Sequence, residues 1–511
     1  MHWLTLPEPR KNITPAFSDL ASAKTWLAGQ PQVQPMHMLA AISLQIEAVE
    51  DSALPPPLAV ELLNLLRTAA VPAQNAIETR YMRKALPLLE DDQRAFEVAQ
   101  RLWLRLALAY LRLAPHFGMA EKSTLLHRAA CAARMTDYCH FLAAQECPAI
   151  LVQLLFGILD QAESSSILRQ PLPDPDFPHL VDTTIAGHLS WAFMLRLINP
   201  YRLSAAQLTV ANRAISRWRE LAGFQSMPDK DTRGHCVDLS PLFGTALPQG
   251  IPHWLDLRKV SRKIEQRITA LQDGETPESL KLGRELSPAA NIRLLRSIDA
   301  RFRSHDQNRS TDIGEIELTF GPDFAYANFT GDLPTPSGSL NAGSASLAHQ
   351  RTALFGFDRV STLPTAVKKL NLPCENWLLV DGRAVRPNAE PGARRQSPCL
   401  IATTRHEQPR LGVMKGLHCI PGNALAADLE WYEEGIEPAR LSRPAAPGQA
   451  LPVIPVFLLH DGENCSLIVP TIAGIRLDMG ITLEGSSVSH LLPTEVLERG
   501  VDFVRYAVTK Q

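Results

Sequence analysis

Asn376–Asp381 (Asn-Trp-Leu-Leu-Val-Asp) decides the fold of this chain, together with Leu411–Leu417 (Leu-Gly-Val-Met-Lys-Gly-Leu). Both segments are short apolar runs, and valine and tryptophan favour the pleated backbone of a strand. An arginine-dense stretch lies between the two runs, within residues 383–410. This order of apolar run, polar stretch and apolar run predicts a strand, a turn and a strand of a small antiparallel β-barrel.

The hydrophobic period changes near residue 313, and this change divides the chain. Before it, apolar residues recur three or four positions apart, as expected for helices with one buried stripe. The clearest set is Ala95, Val98, Leu102, Leu106, Ala109 and Leu113. After it, Glu315–Phe320 alternates polar and apolar residues, which is typical of a half-buried strand.

We therefore predict an α+β multidomain protein. A helical N-terminal domain over residues 1–305, built as a bundle or a tetratricopeptide-like array, precedes one β-barrel over residues 313–442 and a second small β-barrel over residues 450–511. The later predicted helices are 120–146, 149–161, 185–198, 205–221, 254–271 and 289–302. The later predicted strands are 377–380, 399–403, 411–415, 426–431, 453–459, 466–470, 475–477 and 502–508.

One predicted helix, Trp254–Leu271, carries an apolar stripe on one face and basic residues on the other. A basic amphipathic helix can lie on a membrane or on nucleic acid, or it can form the outer helix of a bundle with its charges in water. We expect the outer helix of a bundle, because that arrangement is the more common one.

Composition excludes several classes of protein. The chain has 511 residues, of which 45% are hydrophobic and 20% are charged, and its net charge is −2, so we expect several globular domains and no DNA partner. The eight cysteines contain no Cys-x-x-Cys pair, which favours a reduced cytoplasmic location. No apolar run reaches the roughly 20 residues of a membrane helix, so we expect no membrane insertion.

The segment Trp377-x-Leu379-x-Asp381 resembles the barrel of PilZ-type receptors, which bind the bacterial second messenger cyclic di-GMP. In that family a serine follows two residues after the acidic residue and a glycine three residues further on, where this chain has Arg383 and Arg386. The whole chain resembles betaproteobacterial proteins in which a long helical region precedes PilZ-like barrels. The segments that carry this wider resemblance are 4–7, 84–88, 199–203, 321–331 and 410–416.

The resemblance implies cyclic di-GMP as the ligand, with no resident cofactor. Arginine suits this ligand, because its planar fork pairs with phosphate oxygens or with guanine O6 and N7 and also stacks on a base. The candidate ligand-binding residues are Asp381, Arg383, Arg386, Arg394 and Arg395. Residues 381–410 contain more arginines than acidic residues. This local excess of positive charge is compatible with a solvated loop, with a surface for an acidic protein partner or with a nucleotide site.

The usual catalytic motifs are absent: the sequence contains no GxxxxGK[ST], GxGxxG, HExxH or GxSxG segment. We therefore expect a non-enzymatic regulator or adaptor without a metal site. One hypothesis is a receptor whose barrels respond to cyclic di-GMP. The alternative is a degenerate PilZ scaffold that binds no nucleotide and acts through a protein partner on the helical domain. An unrecognised enzyme is the third hypothesis.

Overall fold

The computed structural model describes residues 3–8, 13–228, 233–303, 313–332, 372–380, 382–392, 394, 397–404, 408–442, 454–462, 464–477, 479–488 and 490–510. The chain forms two compact units. The first unit consists of Met1–Asn308 with the short segments Asn388–Arg395 and His418–Leu425. The second unit consists of Arg309–Pro387, Gln396–Leu417 and Ala426–Gln511.

The first unit is helical. Its helices are α1 (Leu20–Ala28), α2 (Pro35–Asp51), α3 (Pro56–Tyr81), α4 (Glu90–Leu113), α5 (Met119–Ala143), α6 (Ala149–Ser164), α7 (Ile185–Leu197), α8 (Ala205–Trp218), α9 (Ser240–Phe243), α10 (Arg258–Gln272) and α11 (Pro288–Arg303). Helix α5 packs against α4, α6 and α7, and every residue from Cys131 to Ala144 is buried. A helix that is buried on all sides forms the centre of a core rather than its surface.

The predicted helix 254–271 begins later than expected, because its first residues form a strand. Trp254–Asp256 (β3) pairs with β1 (Gly223–Gln225) and β2 (Cys236–Asp238), in the order β1-β3-β2. The Asp256 carboxylate then accepts a hydrogen bond from the Arg258 amide at 3.0 Å, which satisfies the first free amide of α10. Sequence periodicity does not reveal this pairing, because the partner strands are distant along the chain.

The rest of α10 agrees with the prediction for this segment. Val260, Ile264 and Leu271 are buried, and Arg262 is exposed. Helix α10 packs against α11, and Arg303 of α11 forms an ion pair with Glu265 at 2.7 Å. The apolar stripe is therefore covered by the protein itself.

The second unit contains two closed barrels, which confirms the predicted fold class. The first has the strand order β4-β5-β6-β9-β8-β7. Its strands are β4 (Gly314–Phe320), β5 (Glu375–Val380), β6 (Arg383–Arg386), β7 (Cys399–Thr403), β8 (Arg410–Ile420) and β9 (Ala424–Trp431), with α12 (Pro322–Thr330) after β4. The second has the strand order β10-β11-β12-β15-β14-β13. Its strands are β10 (Gly435–Ser442), β11 (Ile454–Asp461), β12 (Asn464–Pro470), β13 (Ile481–Glu484), β14 (His490–Arg499) and β15 (Phe503–Lys510).

The division between the barrels differs from the predicted one. Strand β10 pairs with β11 and β13, so the second barrel begins at Gly435 and not near residue 450. Residues 443–453, between β10 and β11, lie outside the described residues. Residues 475–477 form no strand, whereas β14 was missed. The pairing of β14 with β15 has two register shifts, and such bulges break the alternation by which a strand is recognised.

Candidate functional site

Strand β5 places Trp377 inside the first barrel. Burial alternates along the strand, so that Trp377 and Leu379 are buried, whereas Leu378 and Val380 are exposed. The Trp377 side chain has no exposed surface, and its indole Nε1 donates a hydrogen bond to Glu375 Oε2 at 3.2 Å. Since residues two apart on a strand share a face, Glu375 lies on the same face as Trp377.

Arg386 interacts with the same carboxylate. Its guanidinium Nη1 lies 2.7 Å from Glu375 Oε2, and the two side chains retain 29% and 20% of their exposure. The charge of Arg386 is therefore balanced within the barrel. A buried tryptophan and a strand-end arginine are thus joined through one acidic side chain.

Arg383 lies on the opposite face of β6 from Arg386. It is paired across the strands with Val380, whose side chain is 48% exposed, whereas its neighbour Ala384 is fully buried opposite Leu379. Residues three apart on a strand point to opposite sides of a sheet. The two predicted ligand-binding arginines of β6 therefore do not converge.

Arg394 is held by its backbone in the first unit. The Leu86 amide donates to the Arg394 carbonyl at 2.7 Å, and the Arg394 amide donates to the Leu86 carbonyl at 2.8 Å. Two residues earlier in the chain, the Gly392 amide donates to the Pro87 carbonyl at 2.7 Å. Residues 84–88, which carried part of the family resemblance, therefore hold the segment Asn388–Arg395 by backbone pairing.

The segment His418–Leu425 packs against another of the resembling stretches, residues 199–203. The His418 ring stacks on the Tyr201 ring, with centroids 4.3 Å apart and planes inclined by 17°. The Cys419 amide donates to the Ala144 carbonyl at 2.9 Å. The Tyr201 hydroxyl donates to the Gln145 carbonyl at 2.9 Å, which fixes the aromatic ring beneath His418.

A partly buried arginine joins the two stretches. Arg83, next to the first stretch, donates to the carbonyl of Pro200 in the second. Burial lowers the pKa of Arg83 to about 10, with Tyr201 and Tyr138 opposing that shift. The resembling segments 84–88 and 199–203 thus have a packing role that their sequences alone did not indicate.

The candidate residues are distributed over the two units. Arg383 and Arg386 belong to the second unit and Arg394 to the first, whereas Asp381 and Arg395 lie outside the described residues. Sequence reasoning missed Glu375, although an acid two residues before a tryptophan on a predicted strand shares its face. It also missed the roles of Arg83 and His418, which depend on contacts between distant segments.

Neither a metal-binding cluster nor a membrane-spanning helix occurs in the described residues. No group of three or more histidine, cysteine, aspartate or glutamate side chains there is arranged to hold a metal ion. None of the helices in the described ranges combines the length and the apolar composition of a bilayer-spanning segment.

Comparison with known proteins finds a family match within the helical unit. Residues 21–229 match a family described as the N-terminal domain of the cyclic-di-GMP receptor FimW, and the match extends from α1 to just beyond β1. This confirms the predicted resemblance to a cyclic-di-GMP receptor family with a helical N-terminal domain. No curated protein and no solved structure matches the chain significantly.

Proposed function

We propose that this chain, whose residues 21–229 match the family of the FimW N-terminal domain, is a non-enzymatic regulator that responds to cyclic di-GMP. The family match of the helical unit is the observation that carries the proposal. A following barrel with a buried tryptophan on β5, as in the PilZ-type receptors it resembles, adds support. We place the regulator in the cytoplasm, in keeping with its few, free cysteines.

The proposed ligand-binding residues fall into three groups. Arg383, on the outer face of β6, and the neighbouring Asp381 are the contacts we propose from the first barrel. Arg394 and Arg395 are proposed as a separate pair, because arginine forks bind phosphate bidentately. Arg386 is the weakest of the predicted contacts, since Glu375 already neutralises it.

Isothermal titration of the full-length protein with cyclic di-GMP, with GMP as a control ligand, tests the proposal. We expect Arg383→Ala, and separately the double substitution Arg394→Ala/Arg395→Ala, to weaken binding about tenfold or more, since a charged hydrogen bond contributes about 1.5–3 kcal/mol. Arg386→Ala should change affinity far less. Arg262→Ala, on the exposed face of α10, removes a comparable positive charge and should leave affinity unchanged.

A second candidate function is a protein-interaction scaffold that binds no nucleotide. The ion pair between Arg386 and Glu375 favours it, because a long paired side chain stands where the resembling receptors have glycine. The absence of binding heat at high ligand concentration, with the protein folded, would contradict the receptor and support the scaffold. If chromatography shows that the protein converts the nucleotide during incubation, the protein is instead an enzyme.

A further inference from the structure

Cysteine, histidine and glutamate side chains meet at one end of the second barrel. Cys465 on β12 is the direct cross-strand partner of His460 on β11, and Glu437 lies on the adjacent strand β10. Cys465 belongs to the core of this barrel with Leu467 and Val469, the next residues along β12 on the same face. The three side chains thus come from three adjacent strands, which hold them in a fixed order.

The distances form a continuous hydrogen-bonded chain. Cys465 Sγ lies 3.6 Å from His460 Nδ1, and His460 Nε2 lies 2.9 Å from Glu437 Oε2. The Ser487 hydroxyl donates to the same Glu437 oxygen at 2.7 Å. Burial raises the pKa of Glu437, but the hydrogen bonds from Ser487 and His460 outweigh burial and hold that pKa below its ordinary value of 4.5.

This arrangement assigns the tautomer of His460. An ionised carboxylate only accepts hydrogen bonds, so Nε2 of the imidazole carries the hydrogen that faces Glu437. The lone pair of Nδ1 then faces the thiol of Cys465. A base beside a thiol, itself oriented by a third group, is the arrangement that activates a cysteine nucleophile.

Two of the other cysteines are buried thiols whose thiolate form is disfavoured. Burial raises the pKa of Cys139 to about 12 and that of Cys419 to about 11, so these thiols stay protonated and unreactive. Cys374 is exposed and serves as a reference for an accessible thiol. Cys465 itself is 8% exposed, while the His460 side chain beside it is 31% exposed, so only a small reagent can reach the sulfur.

We propose that Cys465 is a redox-reactive thiol that hydrogen peroxide oxidises to a sulfenic acid, with His460 as the base and Glu437 as the residue that orients it. The thiol proton moves to His460 Nδ1, and the thiolate sulfur attacks one peroxide oxygen. The O–O bond breaks, and the imidazolium returns the proton to the departing hydroxide, which leaves as water. The sulfur loses two electrons and the peroxide gains them.

The full-length protein is treated with hydrogen peroxide for set times, excess peroxide is removed with catalase, and the protein is then unfolded in urea that contains dimedone. Dimedone then traps sulfenic acid at every cysteine irrespective of its burial in the folded protein, and mass spectrometry quantifies each labelled cysteine. We expect Cys465 to be labelled faster than Cys374 despite its lower exposure. His460→Gln should slow labelling of Cys465 about tenfold or more, and Glu437→Gln should slow it less, because a positioned base typically contributes at least that much. Cys465→Ser should remove the labelled peptide.

The controls separate activation of the thiol from damage to the fold. Cys374 labelling, measured in the same samples, should be equal in all variants. His490→Gln changes a histidine of the same barrel that faces Thr482, and it should leave the rate at Cys465 unchanged. Slower labelling of Cys465 than of Cys374, or an unchanged rate in a folded His460→Gln protein, would overturn the proposal. If His460→Gln fails to fold, the rate in Glu437→Gln decides.

Discussion

At the residue scale, Gly412 shows why one position of β8 excludes a side chain. A Cβ atom at this position would lie 2.6 Å from the carbonyl oxygen of Glu430 and 2.7 Å from the ring of Trp431. A backbone oxygen in a barrel strand has little freedom to move away, so the clash would displace the strand or the indole. The glycine is required by the close approach of β9 and not by a left-handed backbone.

Gly412→Ala should therefore lower the free energy of unfolding by about 1–3 kcal/mol, the usual range for overpacking. Urea denaturation followed by tryptophan fluorescence measures this change. Gly435→Ala is the matched control, because it also adds a methyl group in a barrel strand but its nearest neighbour, His460 Cβ, lies 3.8 Å away. If both substitutions lowered the free energy of unfolding equally, the cause would be the lost conformational freedom of glycine and not the contact with Trp431.

At the scale of elements, helices α5 and α7 enclose a pair of buried histidines. The rings of His127 and His188 lie 4.7 Å apart, and the two side chains are 2% and 0% exposed. Burial lowers the pKa of His127 to about 4, with Asp174 acting in the opposite direction. Burial, together with competition from protonation of His127 and the positive charge of Arg134, lowers the pKa of His188 well below 6.5. Both imidazoles are neutral in the folded protein.

This pair predicts a loss of stability in mild acid. In the unfolded chain both histidines bind protons near pH 6.5, whereas in the folded state His127 binds one only near pH 4 and His188 only well below pH 6.5. The free energy of unfolding therefore falls as the pH decreases below 6.5. His188→Leu should reduce the loss between pH 7 and pH 5 by about 2 kcal/mol. Urea denaturation at both pH values measures the difference.

His37→Leu provides the control for this comparison, because His37 is exposed on α2. Its loss of stability between the two pH values should equal that of the unsubstituted protein. The histidine pair would be excluded as a source of acid sensitivity if His188→Leu lost as much stability as the control did. Carboxylates such as Asp174 titrate equally in both variants and cancel in the comparison.

At the scale of the whole molecule, the two barrels of the second unit share a core. Phe457 projects from β11 of the second barrel and is 1% exposed, with its ring 6.2 Å from Tyr326 and 5.5 Å from Phe329 of α12. Lys415 of β8 also forms an ion pair with Glu498 of β14 at 2.5 Å. The barrels therefore stabilise one another, and we expect them to unfold together.

Phe457→Ala should lower the free energy of unfolding by about 3–5 kcal/mol, because it removes a large ring from a buried contact. Hydrogen exchange with mass spectrometry should show reduced protection in peptides of both barrels. Leu497→Ala, at a 45% exposed position of the second barrel, should change little. Loss of protection confined to the second barrel would mean that the barrels are independent domains.

The candidate site was predictable only in part. The sequence placed Arg383 and Arg386 after a strand, and the structure finds both on β6. Which face each arginine occupies follows from the pairing of Val380 with Arg383, and the neutralisation of Arg386 depends on Glu375. The face of each arginine and the pairing of Arg386 with Glu375 both depend on the register between β5 and β6. The sequence of one strand does not determine that register.

The sequence by itself determined the α+β class, the position of β5 and the resemblance to a receptor family, because hydrophobic period and short motifs are local properties. Only the tertiary structure decided that β10 closes the second barrel, that Trp254–Asp256 joins a small sheet, and that Cys465, His460 and Glu437 meet. The physical reason is that strand pairing and side-chain contacts join residues far apart in the chain. Such contacts stabilise the protein only once the whole unit has folded.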